Sequence, residues 1–299
     1  MRCSRCRRRP GGSRRGPPGR PAVSSPTCNS RGNRSGPPDA CRWPRRHDRT
    51  VPDHATASGP GSATLPEVLL NPVPGALGGR LRRFGTVRGG AARFDPAVSP
   101  FGGLPLDPSG ADWADLAALC GPGQEVVVVR AGDGPPALPA GWALSVAFPG
   151  VQMDGAAVPG EPDGEAVELG PGDRAEMAAL TARTRPGPWL ARTAELGTYL
   201  GIRDGGRLVA MAGERMRLGP AGPGGATEIS AVCTDPEHRG RGLARRLVDA
   251  VAAGIVARGE RPVLHASASN EGAIRLYRAM GFEVARPMRF DLVRTPPAL

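Results

Sequence analysis

The stretch TEISAVCTDPEHRGRGLA, residues 227–244, decides how the rest of the chain is read. Residues 227–234 carry β-branched and apolar side chains in partial alternation, which predicts a strand. Asp235-Pro236-Glu237-His238 then turns the chain. Over residues 240–258, Leu243, Leu247, Val251 and Ile255 recur at i, i+4, the spacing of a helix with one buried face. Between strand and helix stand Arg239, Gly240, Arg241 and Gly242. Glycine lets the backbone approach a ligand with no Cβ in the way. A helix start adds free N–H groups and the positive end of the helix dipole. With Arg239, Arg241 and Arg245 alongside, the segment fits an anion, and the ligand expected is a pyrophosphate-bearing cofactor.

Other readings of the same residues are narrower. A P-loop ends in Gly-Lys-Ser/Thr, and this chain contains no Lys. A dinucleotide fingerprint wants a third glycine, which Gly240-x-Gly242 lacks, though Ala244 is small. A plain glycine-rich corner with solvated arginines is the structural alternative.

Further residues in the C-terminal half narrow the choice. Arg239, Gly242 and Ala244 fit the pattern Arg/Gln-x-x-Gly-x-Gly/Ala, and Asn270, Ala273, Leu276-Tyr277 and Gly281-Phe282 follow in order. On these residues the chain resembles the GNAT superfamily of N-acetyltransferases over about residues 165–294, and within it the branch of glycine-N-acyltransferase-type enzymes. The resemblance implies an α/β (α+β) acyl-CoA N-acyltransferase fold. Its sheet is mixed and mostly antiparallel, with a central parallel pair, 227–234 and 263–268, that splays to admit acetyl-CoA. It also implies direct transfer of an acetyl group to an amine in a ternary complex. The backbone of Val232, Cys233 and Thr234 is then expected to pair with the pantetheine arm. The N–H groups of Gly240, Arg241, Gly242, Leu243, Ala244 and Arg245, flanked by Arg239, are expected to hold the pyrophosphate, and Asn270 to lie by the pantetheine.

Two catalytic roles follow from the same resemblance. Tyr277 is the expected general acid, protonating the departing thiolate. Glu228 is the expected general base, with partial burial raising its pKa towards neutrality. His265 on the next parallel strand is a second candidate base. Cys233 as an acyl carrier is disfavoured, since a buried thiol is inert and the family transfers directly. The expected acceptor is an amine-bearing small molecule or peptide, met by residues 184–196 with Trp189 and by the turn at 219–225. No metal ligand set is expected. The alternative is a non-catalytic acyl-CoA-binding or partner-binding module with the same fold.

Elsewhere composition carries the argument. Residues 1–65 hold 14 Arg against Asp39, Asp48 and Asp53, which is the whole net charge of +11. With almost no aliphatic side chains, this tail is expected to be disordered. It reads as a nucleic-acid or membrane-surface arm, or as an unselected extension with Val51 or Leu65 as the true start. The second reading is favoured because aromatic interleaving is lacking, so a nucleic-acid partner is not expected. Cys3-x-x-Cys6 has no second close pair for zinc. Two isolated body cysteines, Cys120 and Cys233, suit a reducing cytoplasm. No apolar run is long enough to span a membrane.

Residues 66–160 predict a small α/β unit with no chemical motif, which the resemblance implies is a degenerate acetyltransferase-like half. It has a turn or short helix from Asn71-Pro72, a helix capped by Asp112 through Cys120, and strands at 126–129 and near 143–148. Residues 155–164 read as a linker, and 165–299 as the N-acetyltransferase domain. In that domain a strand at 165–169 precedes helices at 172–182 and 190–196. A hairpin over Asp204-Gly205-Gly206 joins 199–203 to 207–217. A helix capped by Asn270 runs to Met280, and closing strands over 282–293 are divided by Pro287.

Overall fold

The structure, a computed structural model, describes residues 67–298. The expectations for residues 1–65 lie outside the described residues. The first half contains α1 (Pro72–Leu77), β1 (Gly85–Arg88), β2 (Ala91–Phe94), β3 (Phe101–Gly103), α2 (Gly110–Cys120), β4 (Glu125–Ala131), β5 (Ala143–Val146) and β6 (Pro149–Asp154). The second contains β7 (Val167–Glu168), α3 (Arg174–Thr184), β8 (Tyr199–Asp204), β9 (Arg207–Leu218), β10 (Ala226–Thr234), α4 (Leu243–Ala257), β11 (Arg261–Ser267), α5 (Glu271–Ala279) and β12 (Glu283–Arg294).

All twelve strands form one mixed sheet in the order β1-β2-β3-β4-β12-β6-β11-β10-β9-β8-β7, with β5 pairing β12 beside β6. Among the described residues only β3·β4 and β10·β11 are parallel, and each pair is joined through a helix, α2 or α4. Leaving β7 and β5 aside, the order is symmetric about the β12·β6 contact. In it β1 to β4 mirror β8 to β11, and each half lends one strand to the other. Thus β6 pairs with β11 from Val263↔Asp154 to Ser267↔Gly150, and β12 pairs with β4 from Met288↔Ala131 to Arg294↔Glu125. The boundary expected at 155–164 is a loop in the chain but not a break in the sheet.

Helices cover both faces. Leu243, Leu247, Val251 and Ile255 of α4 pack with Ile229, Leu264, Met153 and Phe282, so the i, i+4 stripe is buried as read. On the same face α2 packs through Trp113 and Leu116 on Val126 and Val128. The other face carries α1, with Val73 and Leu77 against Phe101, Val263 and Phe290, and α3, with Met177 and Leu180 against Tyr199 and Met211.

Several local readings change. The cap of α2 is Ser109, whose hydroxyl accepts from the Asp112 N–H, while Asp112 returns a bond to the Ser109 N–H at 2.8 Å. The helix expected at 190–196 is a single turn, Thr193–Glu195, because Thr193 Oγ1 caps the Leu190 N–H at 2.9 Å and the chain then enters β8. Pro287 does not divide the last strand. It sits just before the β4 pairing begins at Met288, and the irregularity falls instead between Val284 and Arg286. Gly205 and Gly206 both take positive φ, 56° and 83°, as a tight hairpin turn of the expected kind requires.

Strand exchange makes a testable demand. A fragment of residues 165–299 lacks β6, leaving β11 and β12 without the strand between them. It is expected to show no cooperative thermal transition by circular dichroism, whereas the full chain shows one. A fragment that melts as the full chain does contradicts the exchange.

Candidate functional site

The parallel pairing of β10 with β11 runs from Ala226↔Arg261 to Ile229↔Leu264 and stops there. Beyond it β11 continues against β6, and β10 continues against β9 to Thr234↔Ala210. The strands part because β10 is irregular: its register on β9 shifts between Ser230 and Cys233, and Ala231 takes a positive φ of 53°. The edge of β10 that faces β11 over residues 230–234 is therefore left without a strand. This is the splay expected for 227–234 and 263–268. Val232 and Thr234 are half-buried there and Cys233 is buried. Thr234 Oγ1 is buried with no partner among the described residues.

The chain then enters the glycine-rich turn. Asp235 shapes it: its carboxylate accepts from the Glu237 N–H at 3.2 Å and from Arg183 Nη2 at 3.0 Å. Gly240 and Gly242 follow with φ of 79° and 75°, a region costly for other residues, and a Cβ on either would meet no protein atom within 4 Å. The first backbone bond of α4 runs from the Arg246 N–H to the Gly242 carbonyl at 3.1 Å, and no side chain caps the helix. Among the described residues the N–H groups of Gly240 to Arg245 thus have no hydrogen-bond partner, at the positive end of a fifteen-residue helix. A phosphate-bearing group fits this cradle.

The predicted side chains divide into anchors and candidates for contact. Leu243 is buried in the core, so it offers only its N–H. Arg239 is exposed, and its guanidinium makes only a long bond to the Thr234 carbonyl, 3.4 Å. Arg241 pairs with Asp204 at 3.0 Å, and Arg245 lies 3.7 Å from Asp249. Asn270 Oδ1 caps α5 through the Ala273 N–H at 3.1 Å. Tyr277 belongs to the buried cluster that also holds Ile229, Val232, Leu243 and Ala266, and its ring meets Phe282 at 6.1 Å. Burial pushes its phenol up to about 12, so it keeps its proton at neutral pH. Trp189 packs edge-on against Tyr199 at 5.3 Å, on the α3 side.

The base assignment changes most. Glu228 is wholly buried, and its carboxylate takes a two-pronged ion pair from Arg215, with Nε to Oε2 at 2.9 Å and Nη2 to Oε1. His265 Nδ1 lies 2.7 Å from the same Oε1. Burial pushes the carboxyl up, but Arg215 and then His265 pull it further down, to about 2. The expectation of a pKa raised towards neutrality is overturned, because an arginine that the sequence reading did not include outweighs desolvation. So low a pKa makes Glu228 a poor acceptor of an ammonium proton. His265 is no freer, since its Nε2 lies 3.1 Å from Gln152 Nε2. Arg215 and Gln152 were not anticipated. The available signal for Arg215 was the charged run Glu214, Arg215 and Arg217 closing a strand whose first part, Leu208 to Ala212, is apolar. Burial likewise pushes the Cys233 thiol up, to about 11, consistent with an inert role.

Comparison with known proteins agrees with this geometry. The family described as FR47-like protein matches residues 199–290. N-alpha-acetyltransferase RimI of Mycobacterium tuberculosis is 35% identical over 132 residues, 40% of this chain and 81% of that protein. An uncharacterized protein of Mycobacterium leprae is 33% identical over 136 residues, 40% of this chain but 36% of that protein. The crystal structure of a putative acetyltransferase of the GNAT family from Novosphingobium aromaticivorans is 41% identical. It covers 76% of this chain and 98% of that one, with a TM-score of 0.68. With a splayed parallel pair feeding an uncapped glycine-led helix, and relatives of this identity and coverage, the chain belongs to the GNAT superfamily of N-acetyltransferases.

Proposed function

We propose that the protein transfers an acetyl group from acetyl-CoA directly to an amine, and that the observation carrying this is the run of unpaired N–H groups from Gly240 to Arg245 beside the splay of β10 and β11. Acetyl-CoA supplies an activated acyl thioester. The N–H cradle and Arg239 hold its pyrophosphate, and the open edge of β10 at Val232, Cys233 and Thr234 takes the pantetheine arm as an added strand. The acceptor attacks the thioester carbonyl as the neutral amine, Tyr277 donates its phenolic hydrogen to the sulfur as the carbon–sulfur bond breaks, and the proton that the nitrogen sheds on becoming an amide restores the Tyr277 phenol. Glu228 stays ionised and holds the strands rather than taking a proton. The acceptor we favour is the N-terminal α-amine of a peptide, since the Mycobacterium tuberculosis relative is named an N-alpha-acetyltransferase. A reducing cytoplasm suits the two buried free cysteines.

The first half supports a second element of this reading, a degenerate copy of the acetyltransferase half. Its β3-α2-β4 unit occupies the place of β10-α4-β11, but α2 is capped by the side chains of Ser109 and Asp112, whereas α4 has no side-chain cap. That start has the Asp112 N–H capped and the Asp112 carboxylate in place, so it repels an anion. One acetyl-CoA per chain is expected in isothermal titration calorimetry.

Gly242→Val tests the cradle. The left-handed backbone costs about 1–2 kcal/mol for an L-residue, which a stable fold tolerates. The new side chain fills the space before α4, so acetyl-CoA affinity is expected to fall at least about tenfold, on the scale of one lost phosphate-binding contact. Unchanged affinity excludes this cradle. Tyr277→Phe is expected to lower kcat with little change in acetyl-CoA affinity; an equal kcat across pH removes Tyr277 from the chemistry.

Glu228→Gln separates anchor from base. The folded carboxyl lies below its ordinary 4.5, so the stability it confers is present above about pH 4.5 and is lost as pH falls towards about 2. Removing it strands Arg215 and is expected to destabilise the protein by about 3 kcal/mol at neutral pH. The gap to wild type should narrow in acid melts. The apparent pKa of kcat/KM should stay where it is; a shift would return Glu228 to the role of base.

A further inference from the structure

The buried polar chain that ends at Glu228 begins in the other half of the protein. The Leu69 carbonyl can only accept, and Gln152 Nε2 lies 2.9 Å from it. That corner of the amide is therefore the NH2. Turning the amide over would set Oε1 against the Leu69 oxygen. The second hydrogen of the same nitrogen points to His265 Nε2, 3.1 Å away, so this ring nitrogen accepts and carries no proton. The ring proton is left on Nδ1, 2.7 Å from the Glu228 carboxylate, which accepts it. Arg215 balances the charge and stacks over Phe101 at 4.7 Å. The groups facing the imidazole are thus Glu228 from β10, Gln152 from β6 and the Phe290 ring from β12 at 5.4 Å, with Arg215 and Tyr199 behind Glu228. Gln152 and Glu228 are wholly buried, and the His265 side chain is 3% exposed, so water does not replace any of these partners.

We propose that Gln152, brought into the site on the exchanged strand β6, is a positioning residue for acetyl transfer: it holds His265 as the neutral Nδ1–H tautomer and so sets the Glu228 carboxylate where β10 and β11 part. The catalytic half thereby depends on one side chain and one backbone carbonyl of the other half. The catalytic consequence rests on the acetyl-transfer reading above, whereas the tautomer does not.

The test is nitrogen NMR of the full chain labelled at histidine, with His265 assigned by its loss in His265→Phe. At neutral pH the wild type is expected to show a protonated Nδ1 and a bare Nε2 at His265. In Gln152→Met the donor to Nε2 is gone, and the two tautomers should mix. In Gln152→Glu a carboxylate replaces the donor, Nε2 should gain a proton, and the ring should become an imidazolium. This second variant keeps the test decisive if the first does not fold. With acetyl-CoA and an amine, kcat of a folded variant should fall on the order of tenfold to a hundredfold, with KM for acetyl-CoA little changed, as for a small misplacement of reacting groups. The proposal is overturned by a wild-type His265 that carries its proton on Nε2 or is charged, by a tautomer indifferent to both variants, or by a shifted tautomer with kcat unchanged. If the wild type transfers no acetyl group, the acetyl-transfer reading fails while the nitrogen spectra still decide the tautomer.

Discussion

The bond between His265 and Glu228 stands at the point where two parallel strands must stop being a sheet. Ile229 and Leu264 are the last paired residues of β10 and β11, and the next residue on β11 reaches back with its side chain to the carboxylate just before that pair. Backbone pairing holds the strands below this point, and the irregularity around Ala231 turns β10 away above it. Without a tie at the junction, the opening could creep downward and the cleft would have no fixed depth. The tie is strong because it is buried and its acceptor is a carboxylate. A hydrogen bond to a charged group contributes about 1.5–3 kcal/mol, out of a total stability of about 5–15 kcal/mol for a typical domain.

The same β-α-β unit occurs twice in this sheet, and comparing the two copies shows what makes one of them a site. Both crossovers place their helix on the same face, α2 against Val126 and Val128 and α4 against Ile229 and Leu264. Their helix starts differ. Ser109 and Asp112 satisfy each other at the start of α2, which closes that end. Gly242 leaves the start of α4 bare and keeps the space in front of it empty. Along β3 the equivalent room is taken: a Cβ on Gly103 would meet Pro74 Cδ at 2.4 Å and Val73 Cβ at 2.8 Å. Helix α1 has been packed where a cleft would open.

What the sequence disclosed follows from how local each feature is. The Arg239–Ala244 turn, the Asp204-Gly205-Gly206 hairpin and the Asn270 cap are set by backbone chemistry within a few residues, so spacing and residue type sufficed. Strand β6 was hidden because PGVQMD opens with Pro and Gly and has little alternation; its extended form is imposed by β11 on one side and β12 on the other. The proton affinity of Glu228 was hidden for a related reason. It is decided by Arg215, which meets it only because β9 and β10 pair with a register shift between Thr227 and Ile229. Burial was readable from the strand, but the sign of the pKa shift was not, since that needs the partner across the sheet.

Strand exchange also bears on how the chain reaches this structure. The centre of the sheet is the β12·β6 contact, and β12 is the last of the twelve strands to emerge during synthesis. Until the chain has been made through Arg294, β4 and β6 each keep an open edge, and Val126 to Val129 lie along one of them. Such edges are templates for wrong partners, and closing them late through contacts distant in sequence is slow. The interlock that binds the halves into one sheet thus leaves a long interval, on every ribosome, in which the finished first half must wait exposed for a strand it does not encode.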